Sequence, residues 1–571
     1  MKRILLPRHR GRLKDSEELR TGGEGRAAPV LPLALVALVV GTMVLRTALV
    51  FVLPRMIKSD ESSYLHLGWN LLSGQGYLSC IYPETYYTPL YPIVSGTFYL
   101  LVRDFQWASN LAYVLFGGLL QLPLFFLARR IYGLPTAWVT AIWVGISPVL
   151  TVSVLYWGTM TEPLYLFLIY CGLAALLVGV EENVWGLCAA AGAFFGLAYL
   201  TRPEGVFYFA VFLLFGLVWL GRRQQLGLFK KCRLIVCYTL GFVLLAGPYI
   251  WYLHQHVGKW MLAGHVTLDW ELGETEQNDP VARDRSVYGL GSGGREIVRY
   301  SPERFQESAW QKALGNPTRF ARRIKDRVRD LPGVLFDWYA FWYGLLALIG
   351  LALFNRPWDR NRLAHEVFLA SIVVPVLVFL PSRIGSGLRP YAPIFPILLM
   401  WAAHGAVEMG RWLHDTKRQW EPGTIADKTG VKWRWLPAVL VMIFFLATMV
   451  ATARFEQRWV FFGEKEAGLW LRTNAPATAR IMAWNSAVAL HARRPCVLSP
   501  NTDWESFLRY ARAHRADYLV ITSREVTEVR PQMAFLLDTT ALPPELQLVF
   551  NFEEPNQWTL VYRFTEASRL Y

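Results

Sequence analysis

Residues Leu31–Leu53 read LPLALVALVVGTMVLRTALVFVL, an apolar run whose one charge is Arg46. At about 1.5 Å per residue, a helix of this length crosses a hydrocarbon core of about 30 Å. The preceding segment, 1–30, is polar and basic, with Lys2, Arg3, Arg8, Arg10, Arg12 and Lys14. It is too long and charged for a signal peptide and lacks a small-residue cleavage site, so the run reads as a retained first span. The rest of the 571-residue chain agrees: 54% of it is hydrophobic, 15% aromatic, and the mean hydropathy is +0.26. Those values exclude an ordinary soluble protein and predict a polytopic α-helical membrane protein.

Apolar runs of about 17 residues or more predict about eleven spans. After the first come Trp107–Leu127, Ala137–Leu155, Glu162–Val180, Trp185–Leu200, Val206–Leu220, Leu234–Leu253, Val334–Phe354, Val367–Leu380, Tyr391–Val407 and Trp435–Val450. Short cytoplasmic loops carry an excess of Lys and Arg. With the N-terminus inside, the inner loops hold Arg129, Arg130, Arg222, Arg223, Lys230, Arg360, Arg411 and Lys417, whereas the short outer loops hold only Arg202, Arg383 and Arg389. This bias places the N-terminus in the cytoplasm and suggests, by the short inner loops, a bacterial inner membrane.

The organisation that follows is a cytoplasmic tail over 1–30, a transmembrane domain over 31–453 with outer loops 54–106 and 256–332, and an outer domain over 454–571. In the last of these, EAGLWLRTNAP reads as an amphipathic helix and ARIMAW as a strand. SFLRYARAHRADYLVI reads as a helix and then a strand, and WTLVYRF as a final strand. That pattern is a small α/β domain. The net charge of +15 is explained by topology, so no nucleic-acid partner is expected. Six cysteines without a CxxC pair or Cys/His spacing predict neither a disulfide framework nor a zinc site.

Ionisable residues gather at the outer ends of several spans: SDESSY with Asp60 and Glu61, TMTEPLYLF with Glu162, LTRPEG with Arg202 and Glu204, and LRPYAPIFP with Arg389 and Tyr391. Each has a structural reading. Asp60 and Glu61 suit the first turn of an interfacial helix, Thr161-Glu162-Pro163 is a competent helix start, and the arginines can snorkel. Their recurrence on one side points instead to a polar site there. Arg46, inside the first span, needs a partner, and an ion pair with a loop carboxylate is expected.

Taken in order, these pieces resemble the GT-C integral-membrane glycosyltransferases, in the branch of the protein O-mannosyltransferases and the enzyme that adds aminoarabinose to lipid A. The matching pieces are the first span with its Arg, Asp60-Glu61, LLSGQGY, TPLYP, ARRIYG, Glu162, LTRPEG and LRPYAPIFP. Thr88 of TPLYP stands where the lipid A branch carries a basic residue.

The resemblance implies an inverting glycosyltransferase that moves a sugar from a polyprenyl-phosphate donor to a hydroxyl of a lipid, glycan or protein on the extracytoplasmic face. It implies Asp60 as base, Glu61 as its support and Glu162 as the second acid. Arg202 and Arg389 are implied at the donor phosphate, with Glu204 and Tyr391 assisting. The family allows a divalent cation without requiring one. A transporter or flippase is the alternative from another class, although no internal repeat is evident and the charges sit at helix ends, not mid-span.

Overall fold

The computed structural model describes residues 32–566, apart from 59, 159, 265–278, 302–314, 319–320, 323, 327, 330–341, 356, 380–387, 421–425 and 459. The tail 1–30 and Arg383 lie outside the described residues. Among those described, seven helices are long and apolar enough to cross a membrane, or eight if the bent pair Leu134–Ile146 and Val149–Tyr156 is one span. The expected eleven is not confirmed, and the first part of the expected span Val334–Phe354 lies outside the described residues. The run at Trp185 forms a shorter helix, Trp185–Thr201, and Val367–Leu380 is divided between the helices Arg360–Ala370 and Val373–Phe379.

The span expected over Ala137–Leu155 bends by 47°. Pro148 offers no N–H at the break, and Val149–Ser153 winds as a π-helix. Such a break leaves carbonyls inside the bundle in need of donors. Arg46 Nη2 donates to the Leu150 carbonyl at 2.9 Å, and the Tyr113 hydroxyl donates to that of Thr151 at 3.0 Å. The Arg46 guanidinium also lies 4.7 Å from the centre of the Tyr113 ring. This corrects the expected ion pair: Arg46 is buried and, among the described residues, it meets a carbonyl and a ring in place of a carboxylate.

After the first span the chain turns into the helix Asp60–Leu72, with both acids in its first turn. There they complement the positive end of the helix dipole. This helix packs closely on Leu90–Val102, a helix inside the expected outer loop, because Gly68 and Gly96 meet at the crossing. A methyl group on Gly68 would collide with the Pro92 carbonyl oxygen. The close crossing fixes the direction in which the helix presents Asp60.

Between these two helices, β1 (Leu78–Ser79) and β2 (Tyr82–Pro83) form a short antiparallel pair. The C-terminal segment has a hydrophobic core of its own. Its strands are β3 (Ile481–Ala483), β4 (Cys496–Leu498), β5 (Tyr518–Thr522), β6 (Leu546–Glu554) and β7 (Gln557–Phe564), in the order β4-β3-β5-β7-β6. The first three are parallel and the last two antiparallel. The amphipathic helix expected from EAGLWLRTNAP forms at Gly463–Asn474. β6, absent from the sequence expectations, is the half-exposed edge strand.

This unit is fastened to the head of the bundle. Cys80, between β1 and β2, forms a disulfide with Cys496 at the start of β4, across a sequence separation of 416. The expectation of no disulfide is thereby corrected: the partners are distant in sequence, so local spacing carried no signal. The Tyr82 and Tyr510 hydroxyls are 2.9 Å apart, the Ser486 hydroxyl donates to that of Ser62 at 3.1 Å, and Arg493 donates to the Arg103 carbonyl at 2.8 Å.

Candidate active site

Asp60 and Glu61 are adjacent in sequence but occupy opposite environments. The Glu61 side chain is fully buried and receives two bonds from Arg55, at 2.6 and 2.9 Å. Ser109 donates a third, and Arg55 is itself held by Asn110 at 2.9 Å. The Asp60 side chain is 33% exposed. It accepts from the Tyr87 hydroxyl at 2.8 Å and faces the Arg389 guanidinium at 3.4 Å. One acid is therefore sealed into the scaffold, and its neighbour opens outward.

From Asp60 a chain of alternating charges runs into the bundle. Arg389 bridges Asp60 and Glu162, reaching the latter at 2.7 Å. Glu162 also accepts from Arg202 at 2.6 Å, and Arg202 reaches Glu204 at 2.9 Å. Glu162 sits at the head of Glu162–Glu182, Arg202 at the end of Trp185–Thr201, and Arg389 in the 3₁₀ turn Arg389–Ile394. Residues more than 300 positions apart thus converge because three helix ends meet at one level. Tyr391 is buried in the same turn but lines neither of the two cavities next to these charges.

The two cavities differ greatly in capacity. One, of about 20 Å³, is lined by Glu162, Arg202, Glu204 and Arg389, which is room for about one water. The other, of about 450 Å³, lies between the bundle head and the C-terminal domain, and Asp60 and Tyr87 are on its wall. Its volume is in the range of small-molecule sites, about 300–1,000 Å³.

Lys58 and Arg299 also line the larger cavity, and sequence reading missed both. Burial holds the Lys58 ammonium below its ordinary pKa, with Glu456 and Glu61 opposing the shift. Arg299 lies over the rings of Tyr86, Tyr87 and Tyr300, at 3.9, 4.9 and 5.5 Å from their centres. Its Nε and Nη2 are buried without a hydrogen-bond partner among the described residues. Burial also raises the Glu84 carboxyl, against which Arg299 and the Tyr86 and Tyr87 amides act. Nothing in the polar loop around Arg299 distinguishes it from its basic neighbours in sequence; only the fold places it on the cavity.

The acids do not form a metal site. Asp60 and Glu162 are bridged by Arg389, and among the described residues no three His, Cys, Asp or Glu side chains are grouped to hold an ion. The guanidinium stands where a shared cation would be held, so these residues do not fit the divalent cation that the family allows.

Comparison with known proteins agrees with this architecture. Residues 87–251 match the family model described as dolichyl-phosphate-mannose-protein mannosyltransferase. That stretch includes Glu162, Arg202 and Glu204 but not Asp60 or Arg389. ArnT from Cupriavidus metallidurans, solved bound to undecaprenyl phosphate, is 14% identical with a TM-score of 0.59, over 93% of this chain and 98% of that one. The archaeal oligosaccharyltransferase AglB from Archaeoglobus fulgidus, solved with an inhibitory peptide and a dolichol-phosphate, is 13% identical with a TM-score of 0.54, over 86% of this chain and 69% of that one. No curated protein matches the chain by sequence. At such identities the likeness is one of fold: over most of its length the chain shares the fold of ArnT and AglB.

Proposed function

We propose that the protein is an inverting glycosyltransferase that uses a polyprenyl-phosphate-linked sugar and acts at the extracytoplasmic face of the membrane. The observation that carries this reading is the half-open carboxylate of Asp60 on the wall of a substrate-sized cavity, beside its sealed neighbour Glu61. Asp60 takes the proton of the acceptor hydroxyl as that oxygen bonds to the anomeric carbon. The bond from that carbon to the phosphate oxygen breaks on the opposite side, and its electron pair leaves with the polyprenyl phosphate. Attack and departure on opposite faces invert the configuration.

The departing phosphate gains charge and needs fixed cations. Arg202 suits this role poorly, because two carboxylates already hold it and it lines only the smaller cavity. Arg389 orients Asp60 and Glu162. We assign the donor phosphate to Arg299 and Lys58, which open onto the cavity and supply the positive charge that Thr88 does not. Arg299→Ala is expected to raise the KM for donor about 10- to 100-fold, the loss expected for a hydrogen bond to a charged group. Steady-state kinetics over a donor concentration series measure it.

One feature supports the orientation. The Cys80–Cys496 disulfide lies on the Asp60 side of the bundle, and disulfides persist in oxidising compartments outside the cytoplasm. The reading is tested with the purified protein and a panel of labelled polyprenyl-phosphate sugars supplied with a crude membrane extract as acceptor source. Label transferred from at least one donor is expected. If no donor is consumed while a labelled solute crosses proteoliposomes containing the protein, the chain is a transporter.

A further inference from the structure

The cavity that Asp60 opens onto has a second wall, built by the C-terminal domain. There the chain passes from β3 to β4 on one flank, then back across β3 to β5 on the other. In open α/β sheets this reversal makes a crevice outside the carboxyl ends of the strands, and ligands bind in it. Trp484, Asn485 and Ser486 follow β3, Leu498 ends β4, and Thr522 ends β5; all five line the cavity. The crevice of the domain and the cavity at Asp60 are one space.

Two polar groups on that wall have bonding capacity to spare. Gln557, at the head of β7, is only 6% exposed and lines the cavity, yet its carboxamide makes no hydrogen bond among the described residues. Glu464 accepts from Asn485 at 2.8 Å through one oxygen, which leaves the other open to the cavity. Burial raises the Glu464 carboxyl above its ordinary pKa, opposed by the Asn485 bond. Beside them the Trp484 indole is held in place by its N–H donating to Asp284 at 2.9 Å.

We propose that this crevice is the acceptor subsite and that it takes a saccharide, whose hydroxyls pair with Gln557 and Glu464 while the ring packs on Trp484. The proposal rests on the reading of Asp60 as the base. A hydroxyl both donates and accepts, so adjacent hydroxyls satisfy a carboxamide and a carboxylate together. An extended peptide would instead seek a free strand edge, whereas this wall presents strand ends and side chains. The phosphate cations Lys58 and Arg299 leave the donor to the bundle side and the acceptor to this one.

The test is saturation-transfer NMR on the full chain in nanodiscs, with the methyl glycosides of mannose, glucose, galactose and arabinose as probes and undecaprenyl phosphate as control. At least one glycoside is expected to bind, with affinity at least tenfold weaker in Gln557→Ala and in Glu464→Gln. Undecaprenyl phosphate should bind both variants within twofold of wild type, which shows that they are folded. The proposal is overturned if no glycoside binds wild type, if the variants bind as wild type does, or if only a serine-containing peptide binds in a Gln557-dependent way. Donor turnover by wild type, assayed separately, reports on the transfer reading itself, so that reading can fail while the saccharide crevice stands.

Discussion

Asp60→Asn is expected to lower sugar transfer by at least about 100-fold and up to about 10⁴-fold, the range for loss of a positioned general base, with donor affinity little changed. The amide preserves size and can still meet the Tyr87 hydroxyl, but it cannot take a proton at neutral pH. Folding should survive, because the Asp60 side chain is 33% exposed and its contact with Arg389 is long, at 3.4 Å. A single-turnover assay separates the chemical step from binding. Unchanged turnover in the variant would move the base elsewhere, with Glu162 next in reach of Arg389.

Glu61→Ala should fail in a different way, through stability. The Arg55 and Glu61 side chains are 2% and 0% exposed, and removing one partner of a buried pair leaves an uncompensated charge that costs about 3–5 kcal/mol. Thermal denaturation in detergent should show a marked fall in midpoint. The double variant Arg55→Met/Glu61→Leu should recover a large part of that loss, since it removes both charges. If Glu61→Ala is as stable as wild type and loses only activity, Glu61 belongs to the chemistry and not to the scaffold.

How far the sequence revealed these roles depends on the range of each interaction. The spans, the acids at their ends and the alternating helices and strands after Arg454 are local patterns of hydropathy and charge, and they are legible without a structure. That Asp60, Glu162, Arg202 and Arg389 share one face was also readable, because topology alone puts them at corresponding helix ends. The division of labour between Asp60 and Glu61 was not. It is set by Arg55 and Ser109, which reach Glu61 from the preceding loop and from the helix Phe105–Leu119, and by Asn110 of the same helix, which holds Arg55.

Other features depended on contacts that no local pattern encodes. The Arg46 partner is a carbonyl near the bend after Pro148, more than a hundred residues away. The disulfide joins residues 416 positions apart, and Arg299 gains meaning from the three tyrosine rings around it. The expected ion pair of Arg46 illustrates the rule that a buried charge needs a partner, and also how little that rule says about which partner. Within the described residues, breaks at Pro148 and at Ser371 also divide apolar runs that composition treats as continuous.

The chemistry proposed for Asp60 fixes the stereochemical outcome. With a polyprenyl-phosphate donor of known anomeric configuration, NMR of the isolated product gives the configuration of the new glycosidic bond. A single displacement with Asp60 as base requires the inverted configuration. Retention would demand a covalent glycosyl-enzyme or a second displacement, and would contradict the assignment of Asp60 as a base.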